Sequence, residues 1–192
     1  MATKEVIVMG GPNGAGKTTA AADLLPATLG INEFINADEI ARGLSPFNAA
    51  SQELAAGRLM LTRMRAVMTA GKNFAFETTC ASRTHIRFLR QCRQAGYRLS
   101  LVFLWLPSPE AARARVARRV REGGHSIPDH VITRRYQLGL RNMRYFYLPL
   151  VDIGIVYDNS DRGRVLIAEK RPGAELIVRD HDRWNRILEA TS

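Results

Sequence analysis

The chain has few cysteines, few lysines and no long apolar run, and each shortage removes a class of protein. Two cysteines, Cys80 and Cys92, make neither a disulfide framework nor a C-x-x-C pair. The expectation is therefore a reducing, cytoplasmic setting. No apolar stretch approaches the ~20 residues that a membrane span needs. The longest, around "LVFLWL", is followed at once by Pro107. The start, "MATKEVIVMGG", enters a strand-like segment without a signal core, so no membrane partner is expected. Internal repeats, low-complexity tracts and dividing linkers are lacking too. A chain of 192 residues is then expected to be one domain with a core of its own.

Lysine occurs only at positions 4, 17, 72 and 170, so 24 of the 28 basic residues are arginine, and the net charge is +10. The arginine fork matches phosphate oxygens, which admits two partners, nucleic acid or phosphorylated small molecules. A general preference for Arg over Lys would produce the same excess without a function. Clustering decides, and the arginines cluster. Arg113, Arg115, Arg118, Arg119 and Arg121 share one helical stretch, and Arg134 and Arg135 follow across Gly123-Gly124. Most of these seven are expected to be solvated or paired with carboxylates.

Along the chain, "KEVIVMG" reads as a buried strand closed by glycine. A helix should run from Lys17 to about Leu25, before Pro26, and "EFINAD" (33–38) should be a short strand. Residues 48–70 predict one long helix on a Leu54, Leu61, Met64, Met68 face, ended by Gly71. "NFAFETT" and "RLSLVFLWL" read as strands around a helix over 82–95. Ser108 should cap the next helix, with Pro109 and Glu110 in its first turn. A further helix is expected over 129–147, then the strand "DIGIVYD", a terminal hairpin and a closing helix. Such alternation predicts an α/β fold, a doubly wound, mainly parallel sheet with helices on both faces.

The segment "GPNGAGKT" fits G-x-x-x-x-G-K-[ST] at every specified position, between a predicted strand and a predicted helix. Gly11, Gly14 and Gly16 let the loop of Pro12, Asn13 and Ala15 curl, so that its N–H groups form an anion nest at a helix start. Lys17 can then reach β- and γ-phosphates, Thr18 can ligate Mg²⁺, and Thr19 continues the turn. This is the P-loop of a nucleoside triphosphate site, with ATP and Mg²⁺ as expected cofactors. An N-K-x-D base-reading motif is missing, which argues against a GTPase. No apolar strand ends in Asp-Glu, as an ABC or AAA+ motor would require. The remaining expectation is a small-molecule kinase with an Arg-rich helical lid over about residues 108–147.

Together "GGPNGAGKTT", "FINADEIARGLSP", "NFAFETT", "LVFLWLPSPE", "RVARRVREGGHSIP", "ITRRY" and "YDNS" resemble the zeta-toxin family of P-loop kinases. The resemblance runs from about residue 5 to 160 and is closest to short, stand-alone bacterial forms. It implies transfer of the ATP γ-phosphate to a hydroxyl, in the best-known members that of UDP-N-acetylglucosamine. A nucleic-acid 5′-hydroxyl, a nucleoside or an antibiotic is the alternative acceptor, and a nucleotide-dependent binding switch the non-enzymatic one. An antitoxin protein is the partner that the resemblance implies, although the chain carries no antitoxin domain.

By the same resemblance Asp38 is the catalytic aspartate, suited to take the proton of the attacking hydroxyl. Its alternative role is to cap the helix "EIARGL". Glu77 and Thr78 lie at a strand end, where open α/β sheets bind ligands. Glu77 could orient a Mg²⁺ water or the substrate, or simply be a solvated strand end. Arg83 is a candidate substrate contact. Arg119 and one of Arg134 and Arg135, taken as Arg135, are the lid arginines implied for the phosphates. Asn159 is placed near the adenine pocket or in an ordinary turn. His125 reads as a hinge or lid residue, Cys80 as a thiol near the site, and "RYFYLPL" as core packing. His125 and His130 lack partners at zinc-ligand spacing.

Overall fold

The computed structural model describes residues 4–124, 126–161 and 163–192, so the reading of His125 lies outside the described residues. Seven strands form one sheet in the order β2-β3-β1-β4-β5-β6-β7. They are β1 (Glu5–Gly10), β2 (Phe34–Ile35), β3 (Phe74–Thr78), β4 (Arg98–Trp105), β5 (Ile153–Asp158), β6 (Val165–Lys170) and β7 (Ile177–Val178). The first five run parallel, while β6 and β7 add antiparallel and make the expected terminal hairpin. In β1 and β4 successive residues are buried at odd and even positions alike, Val6 to Met9 and Leu99 to Trp105. A strand buried on both faces needs cover on both, which is why these runs are continuously apolar rather than alternating.

The helices are α1 (Lys17–Leu29), α2 (Ala37–Leu44), α3 (Glu53–Thr69), α4 (Thr84–Gln94), α5 (Pro109–Arg121), α6 (Asp129–Asn142), α7 (Leu148–Leu150) and α8 (His181–Glu189). Ser108 caps α5 as expected, its side chain accepting the Ala111 N–H. Among the described residues no helix is long and apolar enough to cross a membrane.

Four expectations are corrected. The first helix continues through Pro26 to Leu29. Pro26 and Ala22, whose carbonyl loses its bond, both lie on the exposed side, where water satisfies that oxygen. The second strand is only Phe34–Ile35, because Asn36 turns the chain into α2 and accepts the Asp38 N–H at 2.8 Å. Asn36, not Asp38, is therefore the cap. The long helix over 48–70 opens as a 3₁₀ turn, Ala49–Gln52, and α3 buries Ala56, Met60, Met64 and Val67. Leu54 is 71% exposed, while Met64 is buried and Leu61 and Met68 pack against the core, so the expected face fails only at its first residue. Finally, the helix expected over 129–147 changes at Met143 into a π turn through Tyr147.

Register positions the site. Gly10, the last residue of β1, pairs with Thr78 on one side and Phe103 on the other. Met9 pairs with Glu77, and Ile35 with Phe76. The chain leaving β1, the end of β3 and the residue after β2 thus converge at the carboxyl edge of the sheet.

Candidate active site

The loop from Gly11 to Gly16 leaves β1 and feeds α1. Gly11 has φ 143°, and a Cβ there would run into the Leu104 carbonyl of the adjacent strand. Gly16, at φ 78°, is the N-cap of α1, where no side chain caps the helix. Its first N–H groups are left for a ligand, and the helix dipole favours an anion there. Within the loop Ala15 N donates to Pro12 O at 3.2 Å. Lys17 is only 6% exposed; its ammonium donates to the same carbonyl at 2.9 Å and lies 3.5 Å from Glu77 Oε1.

Glu77 is the hub. Its second oxygen, Oε2, accepts from the Thr18 hydroxyl at 2.7 Å and from the Asn36 amide at 3.0 Å. Asn36 Nδ2 also lies 3.4 Å from Thr18 Oγ1. One carboxylate thus ties the P-loop lysine, the first turn of α1 and the cap of α2. Sequence reasoning missed Asn36. A polar residue between a short strand and an acidic first turn is the N-cap signal that could have found it. Glu77 is an anchored group rather than the solvated strand end of the alternative reading.

A cleft of about 600 Å³ opens above this hub. Asn13, Gly14, Lys17, Asp38, Glu77 and Thr78 line it, with Arg119, Arg134 and Arg135. The structure thus gathers Asp38 and all three lid candidates around one space. Asp38 is exposed at its mouth. Arg135 also pairs with Glu53 at 3.2 Å. Other arginines of the cluster are occupied as expected, Arg113 by Glu110 at 3.0 Å and Arg118 by Glu122 at 3.7 Å.

Some expected residues lie elsewhere. Arg83 does not line the cleft; it is exposed, with its guanidinium 4.2 Å from the Phe146 ring. Thr19 is exposed on α1, outside the cleft lining. Asn159 turns onto the P-loop, donating to Ala15 O at 2.7 Å, which gives it a bracing role. Arg115 also reaches the loop, its guanidinium donating to the carbonyls of Gly14 (3.4 Å) and Ser160. Its clustering was legible in the sequence; its target was not. The Cys80 thiol is fully buried, and burial pushes its pKa up to about 12, against the opposing pull of Lys17. It is a packed thiol, not a reactive one. In "RYFYLPL", Tyr147 and Leu148 are buried as expected, whereas Tyr145 is 47% exposed.

His85 is a further cleft residue that was missed. Its Nδ1 lies 3.3 Å from Thr78 Oγ1, and that oxygen accepts the Cys80 N–H at 3.0 Å. Burial holds the ring neutral, with a pKa lowered to about 4.

The residues present fit Mg²⁺. Thr18 and Glu77 offer hard oxygen donors beside the phosphate nest. Among the described residues no three His, Cys, Asp or Glu side chains gather as a metal cage.

Comparison with known proteins agrees with this geometry. The sequence model of the AAA domain family matches residues 6–137, and the chain belongs to that family. The central strand β4 runs out through Leu106-Pro107. An uncharacterized protein of Haemophilus influenzae is 26% identical over 126 residues, 66% of this chain and 88% of its own. In fold, the chain matches one from the AvrRxo1-ORF1:-ORF2 complex, determined with ATP, at TM-score 0.79 and 16% identity. All of this chain is covered, but only 64% of that one. A chain of the PezAT chromosomal toxin-antitoxin system of Streptococcus pneumoniae matches at TM-score 0.68 and 16% identity, over 98% of this chain and 89% of that. The fold is thus that of a P-loop domain shared with the chains of these two complexes.

Proposed function

Starting from a P-loop chain of the AAA domain family, we propose that the protein is an ATP- and Mg²⁺-dependent kinase that phosphorylates a small-molecule hydroxyl. One observation carries the reading. Glu77 ties Lys17 and Thr18 at the phosphate nest, and Asp38 stands at the mouth of the same cleft. Phosphate chemistry and a candidate base then share a space of about 600 Å³, the size of a small-molecule site.

In the proposed reaction the acceptor oxygen bonds to the γ-phosphorus as the bond to the β–γ bridging oxygen breaks, and ADP leaves. Asp38 takes the hydroxyl proton. Lys17 neutralises charge on the β- and γ-phosphates, and Arg119 and Arg135, with Arg134 beside them, do so from the lid. Mg²⁺, held by Thr18 and oriented by Glu77 through water, would supply further charge neutralisation. Residues 108–147 act as a lid within a single catalytic domain, closing to exclude water.

For the acceptor we favour a nucleotide-sugar such as UDP-N-acetylglucosamine or a related compound. The cleft sets one further cation, Arg58, beside an apolar wall of Leu54, Met60 and Leu61, which suits an anionic group joined to a less polar body. The fold shared with the PezAT chain, from a toxin-antitoxin system, supports an antitoxin-type protein partner. Both cysteines are free, in keeping with a cytoplasmic setting.

The test is transfer of label from γ-labelled ATP to a metabolite extract in the presence of Mg²⁺. Label in an acid-stable, sugar-containing nucleotide is expected. Label only in inorganic phosphate would overturn the kinase reading, and label in an oligonucleotide would move the acceptor to nucleic acid.

A further inference from the structure

The family match ends at residue 137, yet the P-loop is held from beyond it. The turn after β5 touches the loop twice. Asn159 donates to Ala15 O at 2.7 Å, and the Ser160 carbonyl shares Arg115 with Gly14 O. A Cβ on Gly16 would come within 3.0 Å of the Asn159 amide, so the turn is packed against the loop as well as bonded to it.

Two bonds fix the turn itself. Asn159 N donates to Trp105 O at 3.0 Å, at the end of β4. Asp158, only 5% exposed, accepts the Ser160 N–H on Oδ1 at 2.8 Å. Its other oxygen accepts from Arg183 Nε at 2.7 Å. A buried carboxylate without such a partner would be strongly disfavoured as an anion. Burial raises the Asp158 pKa, but the bonds from Ser160 and Arg183 outweigh it and hold the carboxyl below its ordinary value.

Arg183 belongs to α8, the closing helix. Asp180 caps that helix through the Arg183 N–H at 3.0 Å and also holds the Arg183 guanidinium. Ile187 is fully buried, and Arg186 lies 5.3 Å over the Trp105 ring. The helix is thus docked on the sheet, and its arginine is preset by one carboxylate to meet another.

We infer that Arg183 is a positioning residue of the phosphate site, acting through Asp158 on the turn that braces the P-loop. The nest at Gly11–Gly16 is useful only while its N–H groups point inward, and a brace on the carbonyls of Gly14 and Ala15 fixes those peptide planes. The C-terminal helix is then part of the nucleotide site without touching nucleotide. The consequence for nucleotide rests on the proposed ATP reading; the bracing does not.

The test compares the parent with Arg183→Gln, Arg183→Lys, Asp158→Asn and Ile187→Val by hydrogen exchange without nucleotide, and then by ATP–Mg²⁺ affinity. Faster exchange over residues 11–17 is expected in Arg183→Gln and Asp158→Asn, with partial recovery in Arg183→Lys. ATP–Mg²⁺ affinity should fall between about tenfold and a hundredfold, as misplacement of a binding group does. Ile187→Val loosens α8 without touching the bridge, so it should lower the melting temperature and leave the loop unchanged. Should Arg183→Gln not fold, Asp158→Asn, which keeps its size and its Ser160 bond, answers alone. Loop exchange equal to the parent in the Asp158 variant, or equally faster in Ile187→Val, overturns the inference. Faster loop exchange in a parent background that binds no ATP supports the brace and removes only the kinase reading.

Discussion

Thr18 donates its hydroxyl to Glu77 Oε2 across 2.7 Å, joining the first helix to the end of β3. The same carboxylate serves the buried Lys17 and Asn36, so its removal takes a strong acceptor from two buried donors at once. Glu77→Ala should destabilise the fold by about 1–3 kcal/mol, the cost of leaving buried donors unmet. It should also flatten the dependence of ATP affinity on Mg²⁺ concentration. Urea unfolding and titration of ATP at several Mg²⁺ concentrations would measure both.

Lys17→Ala addresses the nest directly. The parent should gain about 2.7 kcal/mol of stability when ATP–Mg²⁺ is present at a hundred times its dissociation constant. The variant should gain almost nothing at that concentration, since the buried Lys17 cation beside the loop is lost. Equal gains in thermal unfolding would remove the loop from nucleotide binding.

His85 gives a pH signature. Its folded pKa, lowered to about 4 from 6.5 by burial, means that the unfolded chain binds the proton more tightly. The stabilisation is complete above pH 6.5 and declines as pH falls toward 4. It amounts to at most about 3 kcal/mol. His85→Gln should keep a hydrogen bond to Thr78 while removing the titration. Urea midpoints between pH 7 and 4 should therefore fall less steeply in the variant than in the parent.

Local chemistry explains what was legible in the sequence. The P-loop, the strand-end position of Glu77 and the Ser108 cap follow from spacing, propensity and helix-end rules, and each sits where those rules put it. Gathering of Asp38 with the lid arginines followed from the family resemblance, not from spacing. Apart from the Asn36 cap, a local signal, what sequence reasoning missed depends on contacts across the chain. Asn159 reaches a loop 144 residues earlier, and Arg115 one 101 residues earlier. Periodicity holds no trace of such pairings. On α3 only Leu54 went astray: it looks like a core residue, whereas packing turned it outward and chose Ala56 and Met60 in the same turns. Arg83 was drawn to the site by its proximity to Glu77, but it is exposed and lies over the Phe146 ring.

The capping of α2 makes Asp38→Asn the clearest test of mechanism. The side chain of Asn36 accepts the Asp38 N–H, so the helix keeps its cap whatever stands at position 38. What the variant loses structurally is one negative charge in the first turn, worth about 0.3–1 kcal/mol against the helix dipole. The melting temperature and the affinity for ATP–Mg²⁺ should therefore change little, since Lys17, Thr18 and Glu77 are intact. A general base contributes far more to rate, roughly 10²–10⁴-fold. Phosphoryl transfer to the acceptor should fall by that factor while binding stays as an internal control. A variant that keeps more than about a tenth of parental transfer would show that the proton leaves by another route, for no positioned base contributes so little.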